Sequence, residues 1–280
     1  MPVDYVVPAD VAAALEMRGA GYTVLAGGTD LYPQHVGRPM PSRVVDIGGL
    51  TELRGIAETD GGFRIGALTR WADVAAAALP GAFDGLRAAA REVGAVQVQH
   101  AGTIGGNLCN ASPAADGVPA LLTLDASVEL TSATGTRSLA LESFLTGYRQ
   151  TALRPDELLT AVLVPRGATG DAPSAFLKLG LRRYLVISVV MVAVVVSLDA
   201  DGAIGEGRVA VGACSPVAQR LRSLESHLVG RSPGAIDAAT IEEHLSALSP
   251  IDDVRATADY RRTAAALLVR RALRSCGGDP

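Results

Sequence analysis

The 280-residue chain sets 25 Lys and Arg against 29 Asp and Glu, a net charge of −4, and 49% of its residues are apolar. That balance excludes a disordered chain and offers neither the basic footprint nucleic acid requires nor a polybasic membrane segment. Three dispersed cysteines, Cys109, Cys214 and Cys276, encode no disulfide framework and no self-contained zinc or iron–sulfur site, so a reducing cytoplasm is expected.

The first ten residues, MPVDYVVPAD, lack the charged region and apolar run of a signal peptide. Asp10 is placed to cap a helix over 11–18, ended by the Gly19/Gly21 region, and a short strand at 22–25 then delivers the chain into AGGTDL, Ala26 to Leu31. Strands at 44–47 and 63–66, a helix from Thr69 and a second at 86–93 lead to AGTIGGNLCNASPAAD, which begins at Ala101. A helix is expected at 118–124, paired strands at 127–131 and 137–140, and a strand at 157–164. PRGATGDAP, 165–173, has the composition of a linker.

Beyond it, strands at 175–181, 185–198 and 208–213 precede helices at 217–228, 235–248 and 259–275, an order that suggests a separate α+β domain. The run from Leu185 to Leu198, LVISVVMVAVVVSL, is too short to cross a bilayer as a helix, which takes about 20 residues, and reads as one fully buried strand or two. Starts at Ser232-Pro233 and Asp259 and a stop at Gly277 are expected for the helices. Arg261, Arg262, Arg270, Arg271 and Arg274 in the last helix read as a solvated face, with a partner interface as the alternative.

Two stretches carry chemistry. Gly27-Gly28 follows a strand, and Gly105-Gly106 can take φ > 0 and approach a bound group closely, so N–H donors can converge on an anion. Thr103 adds a hydroxyl, and Asn107 a donor and an acceptor. A lone Gly-Gly after a strand is more commonly a tight turn; two such loops, each with a threonine, are what two-sided binding of a pyrophosphate requires. Neither is the GxGxxG fingerprint nor a phosphate loop ending in Gly-Lys-Ser/Thr, so a standard nicotinamide or ATP site is not supported. Asp116 either accepts bonds from ribose hydroxyls, the reading the neighbouring loops favour, or caps the following helix.

AGGTDL, AGTIGGNLCNASPAAD, ELLTAVLVP from Glu157, FLKLGLRR from Phe176 and RVAVGACSPVAQR from Arg208 occur in that order. Together the chain resembles the flavin-binding subunit or domain of the molybdenum hydroxylases, the family of xanthine dehydrogenase, carbon monoxide dehydrogenase medium subunits and bacterial dehydrogenases of N-heterocycles. The resemblance implies an α+β chain: a two-part FAD-binding domain of the vanillyl-alcohol-oxidase-like (PCMH) type at 1–54 and 55–170, then a smaller C-terminal domain at 171–280.

It also implies bound FAD. Val24, Leu25, Ala26, Gly27, Gly28, Thr29, Asp30 and Leu31 match one pyrophosphate loop, and Thr103, Ile104, Gly105, Gly106 and Asn107 match the other. Asp116 matches the acidic residue on the adenosine side, Leu159 a residue packing near the flavin, and Lys178 the lysine beside it. From the residues alone, Leu159 is a core leucine and Lys178 a strand lysine reaching solvent. Tyr184 and Ile187 fall where relatives approach the flavin face, without a secure match.

The implied partners are a large molybdopterin-binding subunit and a small subunit with two [2Fe–2S] clusters, assembled as a dimer of heterotrimers in the cytoplasm. This chain passes their electrons through FAD to an external acceptor, and no substrate-side acid, base or metal ligand is expected here. The four-cysteine insertion of some aromatic-CoA reductase relatives is missing. His100 reads as a solvated side chain and Cys109 as buried packing. The alternatives are a stand-alone flavoprotein oxidase, for which His35 and Cys109 are the only candidate covalent links near the loops, and a non-catalytic nucleotide-binding module.

Overall fold

The computed structural model describes residues 3–168, 170–183 and 185–278. It contains three main sheets, each with its own apolar cluster, and helices pack between them. The first sheet is parallel, in order β1-β3-β2, from strands β1 (Asp4–Val6), β2 (Thr23–Leu25) and β3 (Arg43–Asp46). Helix α1 (Val11–Gly19) makes the crossover, and Asp10 caps it by accepting from the Ala13 N–H at 2.8 Å. Ala14 and Leu15 of α1 pack on Val45 and Ile47, and Leu68 and Leu158 from the next layer close the cluster.

The second sheet is antiparallel, in order β4-β5-β10-β6-β7, from β4 (Ile56–Thr59), β5 (Gly62–Gly66), β6 (Ser127–Ser132), β7 (Gly135–Ala140) and β10 (Leu158–Pro165). Helices α3 (Trp71–Ala76), α4 (Asp84–Glu92), α5 (Val96–Ala101), α6 (Ile104–Asn110) and α7 (Gly117–Thr123) lie between β5 and β6 in sequence. Short α2 (Leu31–Gln34) follows β2, and α8 (Leu141–Phe144) leads into a two-stranded hairpin, β8 (Leu145–Gly147) and β9 (Gln150–Thr151).

The third sheet, β11-β12-β13-β14, is also antiparallel: β11 (Ser174–Leu179), β12 (Val190–Leu198), β13 (Ile204–Gly212) and β14 (Gln219–Arg220). Helices α9 (Arg222–Leu228), α10 (Ala238–Glu243) and α11 (Ala258–Cys276) complete the chain. The unbroken apolar run in β12 has a physical reason. Met191, Ala193 and Val195 join the cluster shared with α4 and α7, while Val190, Val192, Val194 and Val196 join the cluster beneath α11. A strand buried on both faces has no polar alternate, and each fully buried valine contributes about 1.5–3 kcal/mol.

Several expected boundaries move. The strand expected at 185–198 begins only at Val190, because Leu185 takes a left-handed φ of +54° and its carbonyl is held by the Arg182 guanidinium; Leu185 and Ile187 are each 54% exposed. The helix expected at 217–228 begins at Arg222, since Gln219 and Arg220 pair with Val211 and Ala210 as an edge strand. The helix expected at 235–248 covers only 238–243, capped by Asp237. Thr257, not Asp259, caps α11, and Gly277 ends it as expected. Helix α5 had no counterpart among the expected elements.

Ion pairs join the third sheet to the second layer. Asp125, just after α7, accepts from Arg208 at 2.9 Å and from Arg220 at 2.7 Å, and Arg220 also pairs with Glu225. Burial pushes the Asp125 carboxyl up, but the two guanidiniums hold it below the usual carboxylate range. Arg261 departs from the solvated face expected for the last helix: its side chain is 4% exposed and donates to the carbonyls of Val189 and Ala213 and to Asp253.

Candidate functional site

Strand β2 hands the chain to Ala26-Gly27-Gly28-Thr29-Asp30, and α2 carries it away. Gly28 stands at φ +70°, a conformation that costs other residues about 1–2 kcal/mol. A Cβ on Gly27 would run into the carbonyl oxygen of Ala101, so the loop and the end of α5 approach more closely than any side chain permits. Among the described residues, no acceptor takes the N–H groups of Gly27, Gly28, Thr29 and Asp30. Four successive unused donors beside a cavity form a concavity for an anion.

The second glycine pair works differently from expectation. Gly105 and Gly106 do not take φ > 0; they lie in the first turn of α6, capped by Thr103. The Ile104 N–H donates to the Thr69 carbonyl at 3.0 Å, Gly105 to Ala67 at 2.8 Å, Gly106 to Thr103 Oγ1 at 3.1 Å and Asn107 to the Thr103 carbonyl at 3.0 Å. These donors are therefore already used, and TIGGN supplies shape more than hydrogen bonds. A Cβ at 105 would press within 2.8 Å of the Ala67 carbonyl, whereas at 106 it would meet only Thr103 Oγ1, at 3.0 Å. Asn107 Oδ1 is buried and lacks a partner among the described residues, an acceptor left for something in the cavity.

The two stretches face one cavity of about 840 Å³. Val24, Leu25, Ala26, Gly27, Gly28, Thr29, Asp30 and Leu31 border it, as do Thr103, Gly105, Gly106, Asn107, Asp116 and Leu159. Ile104 does not; it is fully buried beneath α6. Lys178 borders a second cavity of about 540 Å³ instead, with Glu92, Arg182 and Arg183. Tyr184 lies outside the described residues, and Ile187 lines the main cavity.

Asp116 and Lys178 meet each other. Lys178 Nζ donates to Asp116 Oδ2 at 2.7 Å and to the Glu92 carbonyl at 3.1 Å, and Ser188 Oγ donates to Asp116 Oδ1 at 2.6 Å. Asp116 stands at the N-cap position of α7 but makes no capping bond, so the cap reading is corrected. The lysine does not reach solvent: its side chain is 7% exposed and that of Asp116 9%. Burial pushes the Asp116 carboxyl up, opposed by the Lys178 charge and the two hydrogen bonds.

Other residues at the cavity were not singled out in the sequence. Arg18 of α1 and Leu185 border it, brought there by packing between distant segments, as does Asn110, which ends α6 within the AGTIGGNLCNASPAAD stretch. Cys109 was expected to pack in the interior, yet it is exposed and borders the cavity. His35 sits in the turn after α2, its Nδ1 bonded to the Leu31 carbonyl at 2.8 Å, and His100 is exposed.

The donor set fits the pyrophosphate of a dinucleotide. The four free N–H groups suit phosphate oxygens, the close approach at Gly27 admits no side chain, the orphaned Asn107 Oδ1 suits a donor on the ligand, and the volume lies in the range of cofactor sites. Among the described residues, no group of three or more His, Cys, Asp or Glu is arranged to hold a metal ion.

Comparison with known proteins agrees. The family described as the FAD binding domain in molybdopterin dehydrogenase matches residues 1–167, and the CO dehydrogenase flavoprotein C-terminal domain matches residues 175–276. The chain is 37% identical over 212 residues to the nicotinate dehydrogenase FAD-subunit of Eubacterium barkeri, covering 74% of this chain and 71% of that one. It is 30% identical over 281 residues to the nicotine 6-hydroxylase medium subunit of Paenarthrobacter nicotinovorans, covering 98% and 97%. A chain of the reconstituted CO dehydrogenase from Oligotropha carboxidovorans superposes with a TM-score of 0.92 at 27% identity, over 100% of both chains. With one family match spanning more than half of its length and a second most of the remainder, the chain belongs to the flavoprotein family of the molybdopterin dehydrogenases.

Proposed function

We propose that this chain is the FAD-carrying medium subunit of a heteromeric molybdenum hydroxylase, working in the cytoplasm beside a large molybdopterin-binding subunit and a small [2Fe–2S] subunit as a dimer of heterotrimers. The observation that carries the reading is the row of four unused N–H donors at Gly27 to Asp30, facing the wall formed by α6 across one cavity. Residues 1–54 and 55–170 form the two parts of the FAD-binding domain, and 171–280 the C-terminal domain. Bound FAD would supply a carrier able to take electrons from a partner's clusters and yield them to an external acceptor.

In this reading the chain's own residues bind and orient. The Gly27 to Asp30 loop holds the pyrophosphate, Gly105 and Gly106 let α6 come close, and Asn107 Oδ1 accepts from the cofactor. Lys178 and Ser188 hold Asp116 fixed in the cavity wall, and Leu159 gives that wall an apolar floor. Because Lys178 is compensated by Asp116, its charge acts on the cavity as part of a neutral pair.

The test is purification of the tagged chain from its native host under mild conditions. The proposal expects a yellow complex containing molybdenum and iron in two further subunits. Turnover of an organic substrate by the flavin-loaded chain alone would overturn it in favour of a stand-alone oxidase.

A further inference from the structure

Asn110 ties three distant pieces of chain together at the edge of the cavity. Its Nδ2 donates to Asp30 Oδ1 at 2.9 Å, and its Oδ1 accepts from Arg149 Nη1 at 2.9 Å and from Gln34 Nε2 at 3.3 Å. Asp30 closes the donor loop, Gln34 ends α2, and Arg149 sits between β8 and β9. One amide side chain thus uses both ends to join the loop to the hairpin.

The backbone around this hub is strained. Ala111, directly after α6, has φ +46° and Arg149 has φ +52°, and the Arg149 N–H donates to the Ala111 carbonyl at 3.0 Å. A left-handed non-glycine residue is strained and persists only where its surroundings over-determine it. Here the linked pair brings the Arg149 guanidinium onto Asn110. Without that bond, Asn110 would keep only its contacts to Asp30 and Gln34.

The donor loop needs such an anchor. Its four free N–H groups make no bond of their own, the Gly28 carbonyl fixing only the Gly28–Thr29 peptide plane by accepting from the Tyr32 N–H at 3.1 Å, and Gly27 and Gly28 bring the freedom of unsubstituted backbone. Asp30 is half-buried and bordered by the cavity, so the Asn110 bond is the side-chain tether between this loop and α6.

We propose that Asn110 is a positioning residue for cofactor capture. Through Asp30 it holds the Gly27 to Asp30 donors in their array, and through Arg149 it fastens the β8–β9 hairpin to the same loop. This rests on the reading that the cavity takes FAD.

The test uses the full chain stripped of flavin, with Asn110→Ala and Arg149→Met measured for affinity to FAD, ADP and riboflavin and for the thermal midpoint of the apo chain. Asn110→Ala is expected to weaken FAD and ADP in parallel by tenfold or more, to leave riboflavin within twofold, and to move the apo midpoint by no more than a few degrees. Arg149→Met, altered at an exposed residue, is expected to weaken FAD and ADP severalfold and keeps the test intact should Asn110→Ala fail to fold. Unchanged FAD and ADP affinities in either folded variant would overturn the proposal, as would an equal loss for all three ligands accompanied by a large fall in the apo midpoint. A wild-type chain that binds no FAD overturns the underlying reading, and this inference with it.

Discussion

The Lys178 ammonium lies 2.7 Å from Asp116 Oδ2, and this buried bond joins β11 of the third sheet to the start of α7 at the cavity wall. Taking both charges out of water is costly, and the cost is offset in part because the Glu92 carbonyl accepts a second bond from the ammonium and Ser188 donates to the other carboxylate oxygen. The pair thereby sets where the C-terminal sheet meets the cofactor domain.

Removing one partner leaves the other charge buried and unpaired. Lys178→Met should destabilise the chain by about 3–5 kcal/mol in urea unfolding, while the double variant Lys178→Met/Asp116→Leu should recover most of that loss. A single variant within about 1 kcal/mol of wild type would show that the pair is not coupled through burial.

Gly106 and Gly27 separate cofactor binding from folding. Gly106→Ala meets only Thr103 Oγ1, so the chain should keep its thermal midpoint within a few degrees while FAD retention falls at least tenfold. Gly27→Ala collides with the Ala101 backbone and should lose both stability and flavin. Full flavin content in purified Gly106→Ala would remove α6 from the binding surface.

Asp125 predicts a pH signature. Its carboxyl is held below the ordinary value near about 3.9, so the stability it contributes is fully present above that value and is lost as pH falls through the lower folded value. Its side chain is 40% exposed, and after allowance for solvent screening Asp125→Asn should cost about 1–2 kcal/mol at pH 7. Denaturation midpoints of wild type and variant should converge as pH drops below about 4. A gap that stays constant from pH 7 to pH 3 would contradict the ion-pair account.

Arg261 tests how α11 is held. Its guanidinium satisfies two backbone carbonyls at the ends of β12 and β13 as well as Asp253, so Arg261→Leu should destabilise by about 3 kcal/mol or more, although its removal takes a charge from an apolar layer. Arg271, on the exposed side of the same helix, should tolerate Leu within about 0.5 kcal/mol.

The contrast between these arginines shows what was legible in the sequence. Patterns set by near neighbours were readable: the Asp10 cap, the buried valines of β12, the strand into Gly27-Gly28 and the two glycine stretches that border the cavity. The burial of Arg261 depends on carbonyls 48 and 72 residues away, which no helical periodicity encodes. The same holds at the site. Asp116 reads as a cap or a ribose acceptor until Lys178, 62 residues on, is folded against it. The role of Gly105 is hidden for a related reason: its glycine requirement comes from the neighbouring Ala67 backbone, whereas φ > 0 is found at Gly28. The start of β12 at Val190 rather than Leu185 is not encoded in the pattern, because apolar side chains facing a cavity look, in sequence, like apolar side chains facing a core.

The most direct test of the central claim is calorimetric titration of the flavin-stripped full chain with FAD, wild type beside Gly106→Ala. One saturable site per wild-type chain is expected, weakened at least tenfold in the variant at an apo melting temperature within a few degrees of wild type. Equal affinity in the two proteins, or a wild-type chain that takes up no FAD, would contradict it.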